Sequence, residues 1–284
     1  MKPRNVTFPK RLGGFTLMEA IIVIVITGII AAIVAVFIRK PVDGYLDAAR
    51  RAELTDAADT ALRRIARDLH LALPNSVRVT SSGTVMEFLL TRNGGRYRYA
   101  PEPDGSGNVL DTTTNVTSFD VLGPSVTLYA GDQIVVFNLG FDDADAYSGS
   151  NLRAYSGAGE TTTTVPITST TPFPRHSPSH RFHIVSGPVT YICDNGSLWR
   201  YWGYAIQPLN ANTNTVAKLD ALVSPATSTR GKALLVQNVD CANTFFTYTG
   251  GVTESSGLVA MQLALKQNGE SVTLYHEVHV NNAP

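Results

Sequence analysis

The chain is short of charge, short of cysteine and without net charge. Charged residues make up 16% of its 284, against roughly 25% in an ordinary soluble domain. Lysine plus arginine and aspartate plus glutamate each number 23, so the formal charge is zero and there is no basic footprint for nucleic acid. Two cysteines, Cys193 and Cys241, are too few for a disulfide-stapled scaffold or a zinc site of four thiolates. A Gly-x-Ser-x-Gly elbow and a Walker A string are both missing, and the glycine clusters do not sit between a strand and a helix. No catalytic residue, metal or cofactor is therefore assigned, and an enzyme is not expected. With 44% apolar residues the length is ample for a real core in one or two domains.

What is present lies mostly in the first 75 residues. Residues 1–14 hold Lys2, Arg4, Lys10 and Arg11 and no acid. From Phe15 to Ile38 every residue is apolar or small except Thr16, Thr27 and the single charge Glu19. The uninterrupted part, Ala20 to Ile38, spans about 28 Å as a helix, close to the ~30 Å of a hydrocarbon core. An ordinary secretory signal has a shorter apolar core, of roughly 7–15 residues, followed by a small-x-small site that this chain lacks. Here the small pair Gly13–Gly14 precedes the run. A plain anchor leaves Glu19 unexplained, since a carboxylate in a membrane span costs up to about 2.5–3.5 kcal/mol and asks for a partner.

The string Gly14-Phe15-Thr16-Leu17-Met18-Glu19 resembles the class III signal of type IV prepilins. The resemblance implies cutting by a prepilin peptidase after Gly14, N-methylation of Phe15, and a glutamate as the fifth mature residue. In a filament, Glu19 of one subunit would pair with the Phe15 amine of a neighbour and set the axial register. A paired charge in an apolar bundle is tolerated where a lone one is costly. The basic leader places itself in the cytoplasm and the remainder outside it. Removing the leader takes the formal charge from zero to −4.

Pro41 and Gly44 interrupt the pattern, so a kink or short break is expected there. Beyond it Leu54, Ala58, Ala61, Leu62, Ile65, Leu69 and Ala72 fall on one helical stripe, with Asp56, Asp59, Arg63 and Arg67 opposite. Asp47–Arg51, Asp59–Arg63 and Arg64–Asp68 are i,i+4 pairs. Acids interleave with Arg50, Arg51, Arg63, Arg64 and Arg67, which marks a solvated face rather than a nucleic-acid surface. Leu73-Pro74-Asn75 stops the helix.

Strands are expected at Val85–Leu90, Val116–Leu122, Ile134–Leu139, Phe182–Val185, Val189–Cys193, Leu198–Ile206, Ala233–Val239, Leu258–Leu265 and Val272–Val280. Asn268-Gly269 joins the last two as a hairpin, although Leu258–Leu263 also suits a short helix. A helix first and strands afterwards is an α+β layout, with the stripe covered by a sheet. The domains expected are a leader at 1–14, a membrane or filament-core helix at 15–38, an amphipathic helix at 39–73 and a β-rich head at 74–284. Residues 142–180, polar and weakly patterned, read as a loop insertion, either a mobile surface segment or a contact loop for a neighbouring subunit or receptor.

Asp142, Asp143 and Asp145, and the string Asp104 to Asn108, suggest calcium loops but lack the spaced oxygen set of an EF-hand. His176, His180 and His183 surround Pro178, which spoils helical zinc spacing. His276 and His279 point to opposite faces of a strand. Cys193 and Cys241 lie in the exported part, where thiols oxidise, so a disulfide between them is expected; two buried free thiols are the alternative.

Further segments extend the resemblance: IRKPVDGY at 38–45, AARRAELTDAAD at 48–59, LPNSVR at 73–78, GPVTYIC at 187–193, RYWGY at 200–204 and HEVHVNNAP at 276–284. They are similar to the MSHA pilus biogenesis proteins of the MshO type. That family implies a minor pilin held in the inner membrane with a periplasmic head. It would be built into a pilus with the major pilin and other minor pilins by an inner-membrane assembly platform. Many type IV pilins carry a proline where this chain has Val36; here it comes later, at Pro41. The alternatives are a J-type minor pseudopilin of type II secretion and a pilus-tip adhesin.

The mature protein is expected to begin at methylated Phe15. A Gly14→Val change should block cutting by crowding the scissile peptide. Intact-mass measurement checks this: retention of residues 1–14 in the wild-type filament, or loss of everything to residue 38, would contradict it.

Overall fold

A computed structural model describes residues 14–141, 143–169, 171–250 and 255–284. The expected leader, apart from Gly14, lies outside the described residues, as does Asp142. The chain divides into two compact units, residues 1–50 and 51–284.

One helix, α1 (Leu17–Leu69), supplies the described structure of the first unit from Leu17 onward and opens the second. Of the kink or short break expected at Pro41 and Gly44, the break is not there: α1 is continuous through both residues. A proline deletes one backbone bond and crowds one carbonyl. The helix-forming residues on both sides, including Ala48 and Ala49, carry the ladder past it. Within the first unit Asp47 pairs with Arg50 at 2.7 Å rather than with Arg51.

In the second unit the stripe is as the periodicity dictates. Leu54, Ala58, Ala61, Leu62, Ile65 and Leu69 are buried, joined by Ala66. Fourteen strands follow among the described residues, paired antiparallel. They are β1 (Arg78–Val79), β2 (Val85–Arg96), β3 (Ser118–Asp120), β4 (Val126–Tyr129), β5 (Gln133–Val136), β6 (Leu152–Tyr155) and β7 (Gly159–Thr162). After these come β8 (Thr164–Thr168), β9 (Arg181–Asp194), β10 (Ser197–Trp202), β11 (Gly231–Gln237), β12 (Phe245–Thr249), β13 (Ser256–Gln267) and β14 (Glu270–Asn281). A short helix, α2 (Val216–Val223), precedes β11 and is capped by the Thr215 hydroxyl accepting from the Lys218 N–H.

The large sheet runs β1-β2-β9-β5-β6-β8-β3, with β10 on β9 and β11 on β10. Strand β9 is its hub and fuses two of the expected strands. One edge pairs with β2 along its length, while the other serves β5 over Phe182–Val185 and β10 over Val189–Asp194. The change of partner falls at Gly187-Pro188, where proline has no N–H to give and Gly187 takes φ +125°. The Asn268-Gly269 turn, with φ +49° and +88°, joins β13 to β14 and settles Leu258–Leu265 as strand.

The stripe of α1 shares one core with both main sheets. Met86, Phe88, Val189 and Tyr191 of the large sheet share one core with Val259, Met261, Leu263 and Val278 of the β12-β13-β14 sheet. Behind it, Val85, Ile192, Tyr201 and Tyr204 pack on Leu219 of α2. A second core, around Phe119, Ile134, Phe182 and Ile184, fills the far end of the large sheet.

Two sets of expectations need correcting here. Residues 142–180 are not simply a loop insertion: β6, β7 and β8 lie in them, and Tyr147, Tyr155, Val165, Ile167 and Phe173 are buried. Threonine-rich strands of four or five residues leave too few alternations to be read from one sequence. Strands β4 and β12 and helix α2 were not expected either, and the strand beginning at Leu198 ends at Trp202. The i,i+4 pair Arg64–Asp68 is present as expected, but it is not the shortest contact of Asp68. Arg64 Nε is 3.5 Å away, while Arg200 Nε donates to the Asp68 carboxylate at 2.6 Å and the Tyr191 hydroxyl at 2.7 Å. Asp59–Arg63 is as expected at 2.7 Å, and Arg51 meets Glu270 beside the β13–β14 turn.

The disulfide is present. Cys193 at the end of β9 is bonded to Cys241 ahead of β12, with Cα atoms 5.6 Å apart, and so staples the large sheet to the small one.

Because Asp68 and Arg200 are both buried, removing one carboxylate strands a guanidinium. Asp68→Ala is expected to destabilise the protein by about 3–5 kcal/mol. Arg63→Ala, on the exposed face, should change stability by less than about 1 kcal/mol. Denaturant unfolding of the two variants side by side tests the contrast.

Candidate functional site

The site is the start of α1. Gly14 precedes the helix, and a Cβ at its position would meet nothing within 4 Å. Phe15 is 80% exposed. Thr16 is the residue before the first helical turn, and its hydroxyl accepts a hydrogen bond from the Glu19 N–H at 3.2 Å. Threonine followed three residues later by glutamate is the spacing of a capping box. That spacing is legible in the sequence: Thr16 starts the helix in the middle of the processing string. Glu19 also sits in the first helical turn, where the helix dipole favours an anion by about 0.3–1 kcal/mol. That local benefit offsets only part of the cost of a carboxylate in lipid, and no ion pair among the described residues engages Glu19.

From Leu17 to Ile38 the large apolar side chains stand exposed all round the helix, Ile24 at 70% and Phe37 at 74%. This stretch is long and apolar enough to cross a membrane. A helix apolar on every side is stable only in lipid or among other apolar helices. The geometry thus offers an accessible Gly14–Phe15 peptide, a capped helix start and one carboxylate on an otherwise uncharged rod.

The prokaryotic N-terminal methylation motif matches residues 10–35. No curated protein and no solved structure matches the chain. The chain therefore carries a type IV pilin-like prepilin signal, and this motif, on a long helix followed by antiparallel sheets, supports a pilin-like or pseudopilin subunit. The motif implies processing by a prepilin peptidase and assembly at a membrane. The apolar helix and the signal together fit a membrane-anchored pilin.

The other sequence candidates are not brought together. No cluster of three or more histidine, cysteine, aspartate or glutamate side chains fit to hold a metal occurs among the described residues. Asp145 closes its own turn, accepting from the Tyr147 N–H at 3.0 Å and the Ser148 N–H at 3.2 Å, while Asp143 lies 4.0 Å from Arg175. Asp104 likewise accepts from the Ser106 N–H and hydroxyl, and these bonds hold its carboxyl below the usual range. His180 stacks on Tyr99 with ring centres 3.9 Å apart. His183 belongs to β9, and its enclosed Nε2 has no hydrogen-bond partner.

Burial, and secondarily the charge of Arg181, lowers the His183 pKa from 6.5 to about 4. The unfolded chain then binds this proton more readily than the folded one. The stability that His183 contributes is complete above pH 6.5, is lost as the pH falls, and levels off below about 4. The difference in urea midpoint between wild type and His183→Asn should change across that window and be constant on either side of it.

Proposed function

We propose that this chain is a minor pilin, of the MshO type found in MSHA pili, that primes or caps a type IV pilus. It is made with its head outside the cytoplasm, cut after Gly14 and methylated on Phe15. An inner-membrane platform then passes it into a filament alongside the major pilin and other minor pilins, and the fibre carries it to the cell surface. On this reading the chain is a structural subunit with no catalysis of its own.

The observation that carries the reading is Glu19: one carboxylate, with no ion pair among the described residues, on a helix exposed and apolar on all sides. Cleavage creates its natural partner, the Phe15 amine of a neighbouring subunit. Attraction between the two in a low-dielectric bundle fixes how far one helix slides along the next.

Two substitutions separate charge from capping. Glu19→Val removes both the carboxylate and its chemistry, whereas Glu19→Gln keeps a capping-box side chain and loses only the charge. Both variants should be processed and inserted normally, and both should be missing from sheared pili. Arg63→Ala should assemble as wild type does. Glu19→Gln recovered in pili at the wild-type level would remove the register role.

A further inference from the structure

The face of the large sheet that α1 covers continues past the helix as an open groove of about 880 Å³. Its floor is Leu90 of β2, Val189 of β9, Trp202 of β10 and Leu235 of β11. Arg64 of α1 contributes to its rim, and so does the β4–β5 turn with Tyr129 and Asp132. Arg92 also lines it, its guanidinium laid over the Tyr129 ring 4.5 Å from the centre. The volume is that of a site for an extended small ligand.

Its charges are unevenly committed. Arg200 is taken by Asp68 at 2.6 Å. Arg64 and Arg92 approach carboxylates at 3.5 Å through Nε, Arg64 to Asp68 and Arg92 to Asp132. Their side chains are 48% and 41% exposed, against 3% for that of Asp132. Two guanidiniums are thus oriented by buried acids, and each still has donors to spare, since its planar fork carries five N–H groups. Asp132 itself is engaged by the Tyr129 N–H at 2.8 Å.

We propose that this groove binds an acidic oligosaccharide, a run of sugar rings bearing carboxylates. The C–H faces of the rings lie on Trp202 and the free face of Tyr129, and the carboxylates meet Arg64 and Arg92. A bidentate guanidinium–carboxylate pair is the strongest contact such a rim can make. Ser186, Ser228 and Thr229, also on the groove, match sugar hydroxyls. A densely charged polyphosphate is disfavoured by Asp68 and Asp132 set just behind the arginines. A neutral sugar would offer the outward N–H groups of both guanidiniums no charged acceptor.

The test uses the full-length chain in detergent micelles and isothermal titration with tetragalacturonate. Galactotetraose is the neutral comparison, and tetraglutamate is a peptide of similar charge. Tetragalacturonate should bind at least tenfold more tightly than either. Arg64→Ala and Arg92→Ala should each weaken it roughly tenfold, and Trp202→Ala by a similar factor. Arg63→Ala, next in the chain but on the outer face, should bind as wild type. Unfolding midpoints confirm that each variant is folded, and Arg64→Ala alone decides the matter should Trp202→Ala fail to fold. No binding, equal binding of the neutral sugar or the peptide, or full affinity in folded Arg64→Ala would each overturn the proposal.

Discussion

The buried face of α1 between Leu54 and Leu69 is the surface on which both main sheets of the second unit close. Leu54, Leu62, Ile65 and Leu69 are each within a few per cent of complete burial, and each such side chain contributes about 1.5–3 kcal/mol. The large sheet offers Phe88 and Tyr191 to this face, and the small sheet offers Met261 and Leu263. Alanines at 58, 61 and 66 let the backbone of the helix come close to both. The Cys193–Cys241 bond and the contact of Arg51 with Glu270 then hold the small sheet to a position that the hydrophobic face has already chosen.

Set into this apolar surface is one polar cluster, in which Asp68 accepts from Arg200 and Tyr191. Burial and the adjacent carboxylate push the Tyr191 hydroxyl well above its ordinary pKa, so it stays a donor. Such a cluster adds little net stability over an apolar replacement, yet it penalises any register in which its partners fail to meet. It ties the last turn of α1 to β9 and β10, at the edge of the groove that Arg64 and Trp202 line.

The same helix obeys a different solvent rule at its other end. Between Leu17 and Ile38 there is no polar face to present to water, and the exposed side chains are those of a lipid-facing or helix-facing rod. Thr16 closes the helix start, and Glu19 is placed where the helix dipole favours it. A short string thus serves as a helix cap and as the match to a processing signal.

The chain order by itself determined the features that rest on a strong local pattern. The methylation motif, the apolar run, the 54–69 stripe, the Thr16–Glu19 cap, the Asn268-Gly269 hairpin with β13 and β14, and the strand segments 85–90, 182–185 and 189–193 are periodic or contiguous. The persistence of α1 through Pro41 was not determined in that way, because a proline's local penalty competes with the cooperativity of the turns on either side. Only the tertiary structure decided the partner of Asp68, since Arg200 is 132 residues away and sequence shows only the nearer Arg64. It also decided that Thr-rich pieces within 142–180 become β6, β7 and β8, which borrow their order from neighbours such as β5 and β3. The groove is the extreme case: Arg64, Arg92, Tyr129 and Trp202 come from four separate elements and become neighbours only when the sheet face passes beyond the end of the helix.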